Sequence, residues 1–338
     1  MIHSNFVSLL SCWFTLGALA GCASDPDSGP EGGAGTGAAG ATAGTGGAGS
    51  GGGSAAAGGV LGGFAVRMVA ADPVLGSEAF SSFSGTVYDS FIPEDAAWAV
   101  EAESGDCELL VPRRALCTTP CGSGSVCIGS EMCVPMASTV DVGSVRLEGV
   151  GSTPITVEAG ANNYYQIGSD VMLPYPPAAD GAPVSISATG GSFGAFTIQS
   201  EGIAPLALTI PDPLPVAPNQ AVRLTWTPGT SDATRIHVTL DVSHHGGTKG
   251  KIVCDTADSG SLEISAMLVT DLLDLGLAGF PTIDIGRRAA GTARVARGEV
   301  ELAVAHDVKR IVSIPGLTSC NDDTECSTGQ TCVDLRCQ

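Results

Sequence analysis

The sequence predicts a mostly β protein: a β-sandwich, one large or two packed, with two small disulfide-rich modules and a disordered Gly-rich tether. Three observations carry this. From Phe64 onward, short alternating apolar segments recur about every 8–20 residues, with Pro and Gly between them. Eight cysteines fall into two groups of four with similar spacing. The run from Gly32 to Gly59 contains only Gly, Ala, Ser and Thr, so it has no side chain with which to build a core.

Taken in order, the chain opens on an uncharged, mostly apolar stretch from Phe6 to Leu19. At about 14 residues it falls short of the roughly 20 needed to cross a bilayer as a helix, and it suits the apolar region of a signal peptide. It closes on Leu19-Ala20-Gly21-Cys22. Residues 22–63 read as a tether. Its 28-residue Gly/Ala/Ser/Thr core would have a root-mean-square span of roughly 30 Å. The segment lacks the preceding strand and the Lys of a phosphate-binding loop.

Residues 64–316 read as the β region, with a cysteine-rich insert at 107–135. Strands are expected at Phe64–Val69, Gly85–Tyr88, Ala97–Glu101, Ser144–Glu148, Pro154–Glu158, Tyr164–Ile167, Val184–Ser187 and Phe196–Ile198. More are expected at Leu206–Ile210, Val222–Trp226, Lys251–Cys254 and Leu262–Ile264. Arg235–Val242 is the clearest, with Ile236, Val238, Leu240 and Val242 on one face. One helix is expected from Ser265 to Leu275. Met267, Leu268, Leu272 and Leu275 supply its apolar spacing, Ser265 could cap it and Gly276 could end it. Strands return at Thr282–Ile285, Glu299–Val304 and Lys309–Ile314.

The chain has twelve cysteines. Cys117, Cys121, Cys127 and Cys133 form one group; Cys320, Cys326, Cys332 and Cys337 form the other, in a C-terminal module at 317–338. Both contain C-x-x-G-x-x-C, from Cys121 to Cys127 and from Cys326 to Cys332, an internal repeat of a unit too small to bury a core. Export favours disulfides, and neither group has the C-x-x-C knuckle of a zinc site. Each group allows three connectivities. Cys107 and Cys254 remain and most simply pair with each other.

The Leu19–Cys22 ending resembles the lipobox of bacterial lipoproteins. The match implies that residues 1–21 are a signal peptide, that Cys22 carries a diacylglycerol and an N-linked acyl chain such as palmitate, and that the chain is membrane-anchored. Residues Met1 to Asn5 depart from the usual pattern in having no Lys or Arg. Ala23, where an Asp would signal inner-membrane retention, implies the outer membrane and cell surface. The segment Cys320-Asn-Asp-Asp-Thr-Glu-Cys326, followed by Gly329-Gln-Thr-Cys332, resembles cysteine-rich modules of myxobacterial surface lipoproteins. These similarities cover about 60 residues of leader and modules; across the β region the likeness is one of layout.

A net charge of −20 argues against a nucleic-acid partner, which needs a positive face. Candidate chemistry is sparse. Gly190-Gly-Ser192-Phe-Gly194 matches G-x-S-x-G, but a strand is expected after it where a nucleophile elbow needs a helix. His244-His245 reads as a polar turn lacking a nearby third metal ligand; His237 and His306 lie elsewhere. Asp255, Asp258 and Ser259, and separately Asp322, Asp323 and Glu325, read as solvated acidic turns rather than calcium loops. Arg287, Arg288, Arg294, Arg297, Lys309 and Arg310 could contact an anionic glycan but read first as solvent faces of a hairpin. Tyr164, Tyr165 and Tyr175 could stack on a sugar or peptide; Trp98 and Trp226 read as core. The expectation is a surface-exposed binding or adhesion lipoprotein with a protein or glycan partner and no catalytic residue, metal or cofactor. The alternatives are a secreted hydrolase with a site assembled from distant residues, or a structural envelope component.

Overall fold

The computed structural model describes residues 59–71, 77–90, 97–113, 117–129, 131–247 and 249–338. The leader, Cys22 and the tether to residue 58 lie outside these. The described chain is mostly β. Its first half contains β1 (Val60–Val69), β2 (Phe80–Val87), β3 (Trp98–Ser104), β4 (Cys107–Pro112), β5 (Ser125–Gly129), β6 (Met132–Pro135), β7 (Val145–Glu148), β8 (Ile155–Val157) and β9 (Tyr165–Gln166). Then come β10 (Pro183–Ala188), β11 (Phe196–Glu201), β12 (Leu214–Pro215), β13 (Val222–Thr225), β14 (Arg235–Asp241), β15 (Lys251–Ala257) and β16 (Ser261–Ile264). Helix α1 (Ala266–Asp274) precedes β17 (Thr282–Val295), β18 (Gly298–Ser313), β19 (Cys332–Val333) and β20 (Arg336–Cys337).

A ten-stranded mixed sheet organises the body, in the order β3-β4-β15-β14-β17-β18-β1-β2-β9, with β12 also paired to β18. Its spine is the hairpin of β17 and β18, in unbroken antiparallel register from Thr282↔Ile311 to Val295↔Gly298. Strand β1 runs parallel to β18, and every other pair in the path is antiparallel.

The hairpin passes through two separate hydrophobic cores. In the first, Ile283, Ile285, Val308 and Val312 pack with Val238 and Leu240 of β14, with Leu224 and Ile264 of the β13–β16 ribbon, and with Leu268 and Leu272 of α1. In the second, Ala289, Val300, Leu302 and Val304 join Phe64 and Val66 of β1 and a four-stranded sheet ordered β11-β10-β7-β8. That sheet contributes Val145, Leu147, Val184, Ile186 and Ile198. Packing of inner faces from two sheets is a sandwich. Phe64 stacks on Phe83 and meets Tyr165 edge-on, with centroids 5.9 and 5.5 Å apart. Where β11 crosses β17, a Cβ on Gly291 would lie 1.7 Å from the Gln199 carbonyl oxygen, so only glycine permits that approach.

Helix α1 follows its expected signals. The Ser265 hydroxyl accepts from the Leu268 N–H at 3.4 Å, and Gly276 adopts φ +105° just beyond the end.

All ten cysteines outside the N-terminal region are bridged. Cys107 and Cys254 are register partners on β4 and β15, joined across 147 residues inside the first core. In the chain-entropy account, closing such a loop stabilises by about 5 kcal/mol. The two modules share one connectivity, first to third and second to fourth: Cys117–Cys127 with Cys121–Cys133, and Cys320–Cys332 with Cys326–Cys337. In both, the third and fourth cysteines are cross-strand partners in a hairpin. In both, the C-x-x-G glycine (Gly124, Gly329) has positive φ and closes a turn, with Ser125 N–H on Gly122 O at 3.1 Å and Gln330 N–H on Ser327 O at 3.0 Å.

Four expectations change. Strand β1 starts at Val60, inside the expected 22–63 tether, because Leu61 already belongs to the second core. Cys107 belongs to the main sheet through β4, so the insert expected at 107–135 begins beyond Pro112. Leu206–Ile210 forms only the single bridge Leu208↔Trp226. Thr282–Ile285, Glu299–Val304 and Lys309–Ile314 are pieces of two long strands.

Candidate functional site

Between the two cores the hairpin carries polar side chains on its buried face. Arg287 of β17 and His306 of β18 are register partners there, and both are buried. An isolated buried charge is prohibitively costly, so each group has partners. Arg287 Nε lies 2.8 Å from Asp258 Oδ2, with side chains 1% and 2% exposed. Its Nη2 donates to Asp258 Oδ1 at 3.2 Å and to the Thr227 carbonyl, and its Nη1 donates to Ala204 O at 3.1 Å. Asp258 also accepts from Trp226 Nε1 at 2.6 Å and from the Gly229 N–H at 2.9 Å. One ion pair thus fastens β17 to three loops.

His306 extends the network. The Leu206 N–H donates to Nδ1 at 3.0 Å, so the proton of the neutral ring sits on Nε2 and points to Tyr175 Oη, 3.1 Å away. Burial pushes the imidazole pKa down; Asp307 opposes this and the Arg287 charge adds to it. Nearby, Asp180 accepts from Thr230 N–H, Thr230 Oγ1 and Ala204 N–H at 2.9, 2.6 and 3.1 Å. Burial raises its pKa, but those bonds outweigh burial and hold the carboxyl below its ordinary value. Every charged group in this junction is committed to a neighbour, so its work is to hold loops in place.

The first cysteine module offers a different surface. Strands β5 and β6 pair with each other and with no other described strand. Val126 faces Val134 across the ladder, Met132 and Val134 share a side by strand alternation, and Met136 follows directly after β6. Val126, Met132 and Met136 are 45%, 55% and 54% exposed. The Thr118 hydroxyl and N–H donate to Glu131 Oε1 at 2.6 and 2.9 Å and close the module.

The other sequence candidates disperse. Ser192 sits in a one-turn 3₁₀ segment between β10 and β11, so Gly190–Gly194 is a hairpin turn. The rings of His244 and His245 lie 4.0 Å apart, tilted by 51°, while His237 pairs with Asp255 on the solvent face at 3.6 Å. Asp255 also pairs with Arg235, whereas Asp258 is buried with Arg287, so the two carboxylates expected in one solvated turn serve opposite faces of the sheet. Asp322 caps Thr324, Asp323 accepts from Cys332 N–H, and Glu325 accepts from Asn321 N–H. Four of the six basic residues are taken up: Arg287 is buried, Arg288 pairs with Glu301, Lys309 with Asp284 and Arg310 with Asp212, while Arg294 and Arg297 are exposed.

Tyr165 is fully buried. Its hydroxyl accepts from Val142 N–H at 2.9 Å and donates to Asp141 at 3.0 Å, and burial pushes its pKa up to about 12. Trp226 is core, but Trp98 is only half-buried, on an outermost strand of the main sheet, with the Lys251 ammonium 4.3 Å above its ring. The grouped sulfurs Cys117, Cys121 and Cys127, and likewise Cys320, Cys326 and Cys337, belong to bridged cystines that present no thiolate to a metal.

Sequence reasoning missed the Arg287–Asp258 pair and the His306–Tyr175 contact. Arg287 lay within a run of other basic residues and Asp258 beside a glycine-rich turn, so both resembled surface. The chain matches no model of a known protein family, and no curated protein is a match to it.

Proposed function

We propose that this protein is a lipid-anchored envelope protein that acts as a binding or adhesion module at the cell surface. The observation that carries the reading is the Leu19-Ala20-Gly21-Cys22 ending, followed after a short polar lead by a run of small residues from Gly32 to Gly59. An acylated Cys22 would hold the chain in the outer membrane, and the tether would set the body clear of the headgroups. A body held by five disulfides suits an oxidising exterior. The exposed Val126, Met132 and Met136 of the first module support contact with a macromolecule, since such side chains are enriched at interfaces when grouped.

Metabolic labelling with an alkyne fatty acid, followed by protease shaving of intact cells, tests this. The wild-type chain takes the label and is shaved from the surface; Cys22→Ala takes no label and leaves the membrane fraction. An unlabelled wild-type chain, or one protected from protease in intact cells, contradicts the reading.

A further inference from the structure

The His244-His245 turn and the C-terminal module, far apart in sequence, border an open cavity of about 440 Å³. Its walls are His245 and Gly246 after β14, Lys249 before β15, Leu277 and Ala278 after α1, and the β19–β20 hairpin. The hairpin contributes Asp334, Leu335, Arg336 and Gln338. The volume lies in the roughly 300–1,000 Å³ range of small-molecule pockets.

The walls are fixed. Phe280 N–H donates to His244 O at 2.8 Å and Ala278 N–H to Val242 O at 3.2 Å. Ser319 Oγ donates to Gly279 O at 2.6 Å, which fastens the module to the body. A Cβ on Gly279 would lie 2.0 Å from His244 O. Seven non-glycine residues among those described have positive φ, and three of them line this cavity: His245, Asp334 and Leu335 at 64°, 52° and 59°. For Leu335 in particular this backbone is costly, and such strain gathers at functional sites.

The charge pattern is the second observation. Among the described residues, eight lysines and arginines form carboxylate ion pairs. Lys249 and Arg336 have no carboxylate within ion-pair distance among the described residues, although Asp334 lines the same cavity. The Arg336 side chain, half-buried, forms part of the cavity wall. An arginine fork, an ammonium and an imidazole around one cavity are the donor set for a phosphate oxyanion. Asp334 would disfavour a second anionic group and accept from a hydroxyl.

We propose that this cavity binds a small soluble phosphate monoester with a hydroxylated body, its phosphate on Arg336 and Lys249 and its hydroxyl on Asp334. The same phosphate chemistry occurs in lipid headgroups, so the test separates the two sources. Calorimetry on the full chain in detergent uses glycerol 3-phosphate, with sodium sulfate at matched ionic strength as control. Flotation with vesicles containing phosphatidic acid forms the second arm. Saturable 1:1 binding of glycerol 3-phosphate is expected, weakened roughly tenfold or more by Lys249→Gln and by Arg336→Gln. Disulfide mapping of Arg336→Gln checks that the module still closes, and Lys249, an exposed side chain, provides an independent variant. Absence of saturable binding, an unchanged affinity in both variants, equal binding of sulfate, or binding to the vesicles alone would each overturn the proposal.

Discussion

Arg287 and His306 face each other across β17 and β18, both buried, between the two hydrophobic cores that share the hairpin. The pair divides the interior: Ile285 and Val308 on one side belong to the first core, Ala289 and Val304 on the other to the second. Two cores on one long hairpin need their loops held where they meet, and the bonds of these two side chains reach Ala204, Leu206, Thr227, Asp258 and Tyr175.

Breaking this junction from one side leaves an unpaired buried charge. Asp258→Asn and Arg287→Met should each cost about 3–5 kcal/mol in urea unfolding. The double variant should lose less than the sum of the singles, because neither partner is then left alone. Additive losses would show that the two residues act independently.

The junction should also make stability depend on pH. The folded pKa of His306 is depressed by burial below its ordinary value of 6.5. The unfolded chain therefore takes up the proton first, and stability rises with pH in that window. The contribution is complete above about pH 6.5 and is lost as the pH falls from there through the folded value. Protonation would also place a hydrogen on Nδ1 against the Leu206 N–H. His237 and His244 are lowered by burial as well, so the comparison is with His306→Asn. Urea midpoints at mildly acidic and neutral pH should differ more for wild type than for this variant. Equal differences would remove His306 from the account.

The phenol of Tyr165 should titrate near pH 12, read by phenolate absorbance. Tyr165→Phe should abolish that late step. It should also cost about 1–3 kcal/mol, because the Val142 N–H loses its buried acceptor. A full-amplitude tyrosine titration complete well below that pH would show the ring to be accessible.

Reduction should follow exposure. Cys107 and Cys254 are both buried, Cys320 and Cys337 are buried, and Cys133 is exposed with its three module partners half-buried. Graded reductant with alkylation and peptide mapping should open the first module first and Cys107–Cys254 last, together with unfolding. Early opening of Cys107–Cys254 in folded protein would contradict the packing described.

Much of the fold was legible where local chemistry acts alone. Ser265 and Gly276 bracket α1 as capping rules require, and the alternation of Ile236 to Val242 identified β14. The repeated C-x-x-G-x-x-C marked two modules of one kind, although spacing could not choose their connectivity. What failed depended on distant partners. Buried Arg287 and His306 interrupted the apolar rows of β17 and β18, so two long strands read as three short ones. Cys107-Glu-Leu-Leu-Val-Pro112 has strand periodicity, but its proximity to other cysteines drew it into the insert. Leu206–Ile210 alternates like a strand, yet the carbonyls of Ala204 and Pro205 just before it are bound by Arg287 instead of a ladder. The cavity at His245 was hidden for the same reason, since its walls come from three separated segments.

Intact mass spectrometry of the protein extracted from bacterial envelopes tests the central claim most directly. The account predicts a mature chain that starts at an acylated Cys22 and carries five disulfides. A chain retaining residues 1–21 with a free thiol at Cys22 would contradict it.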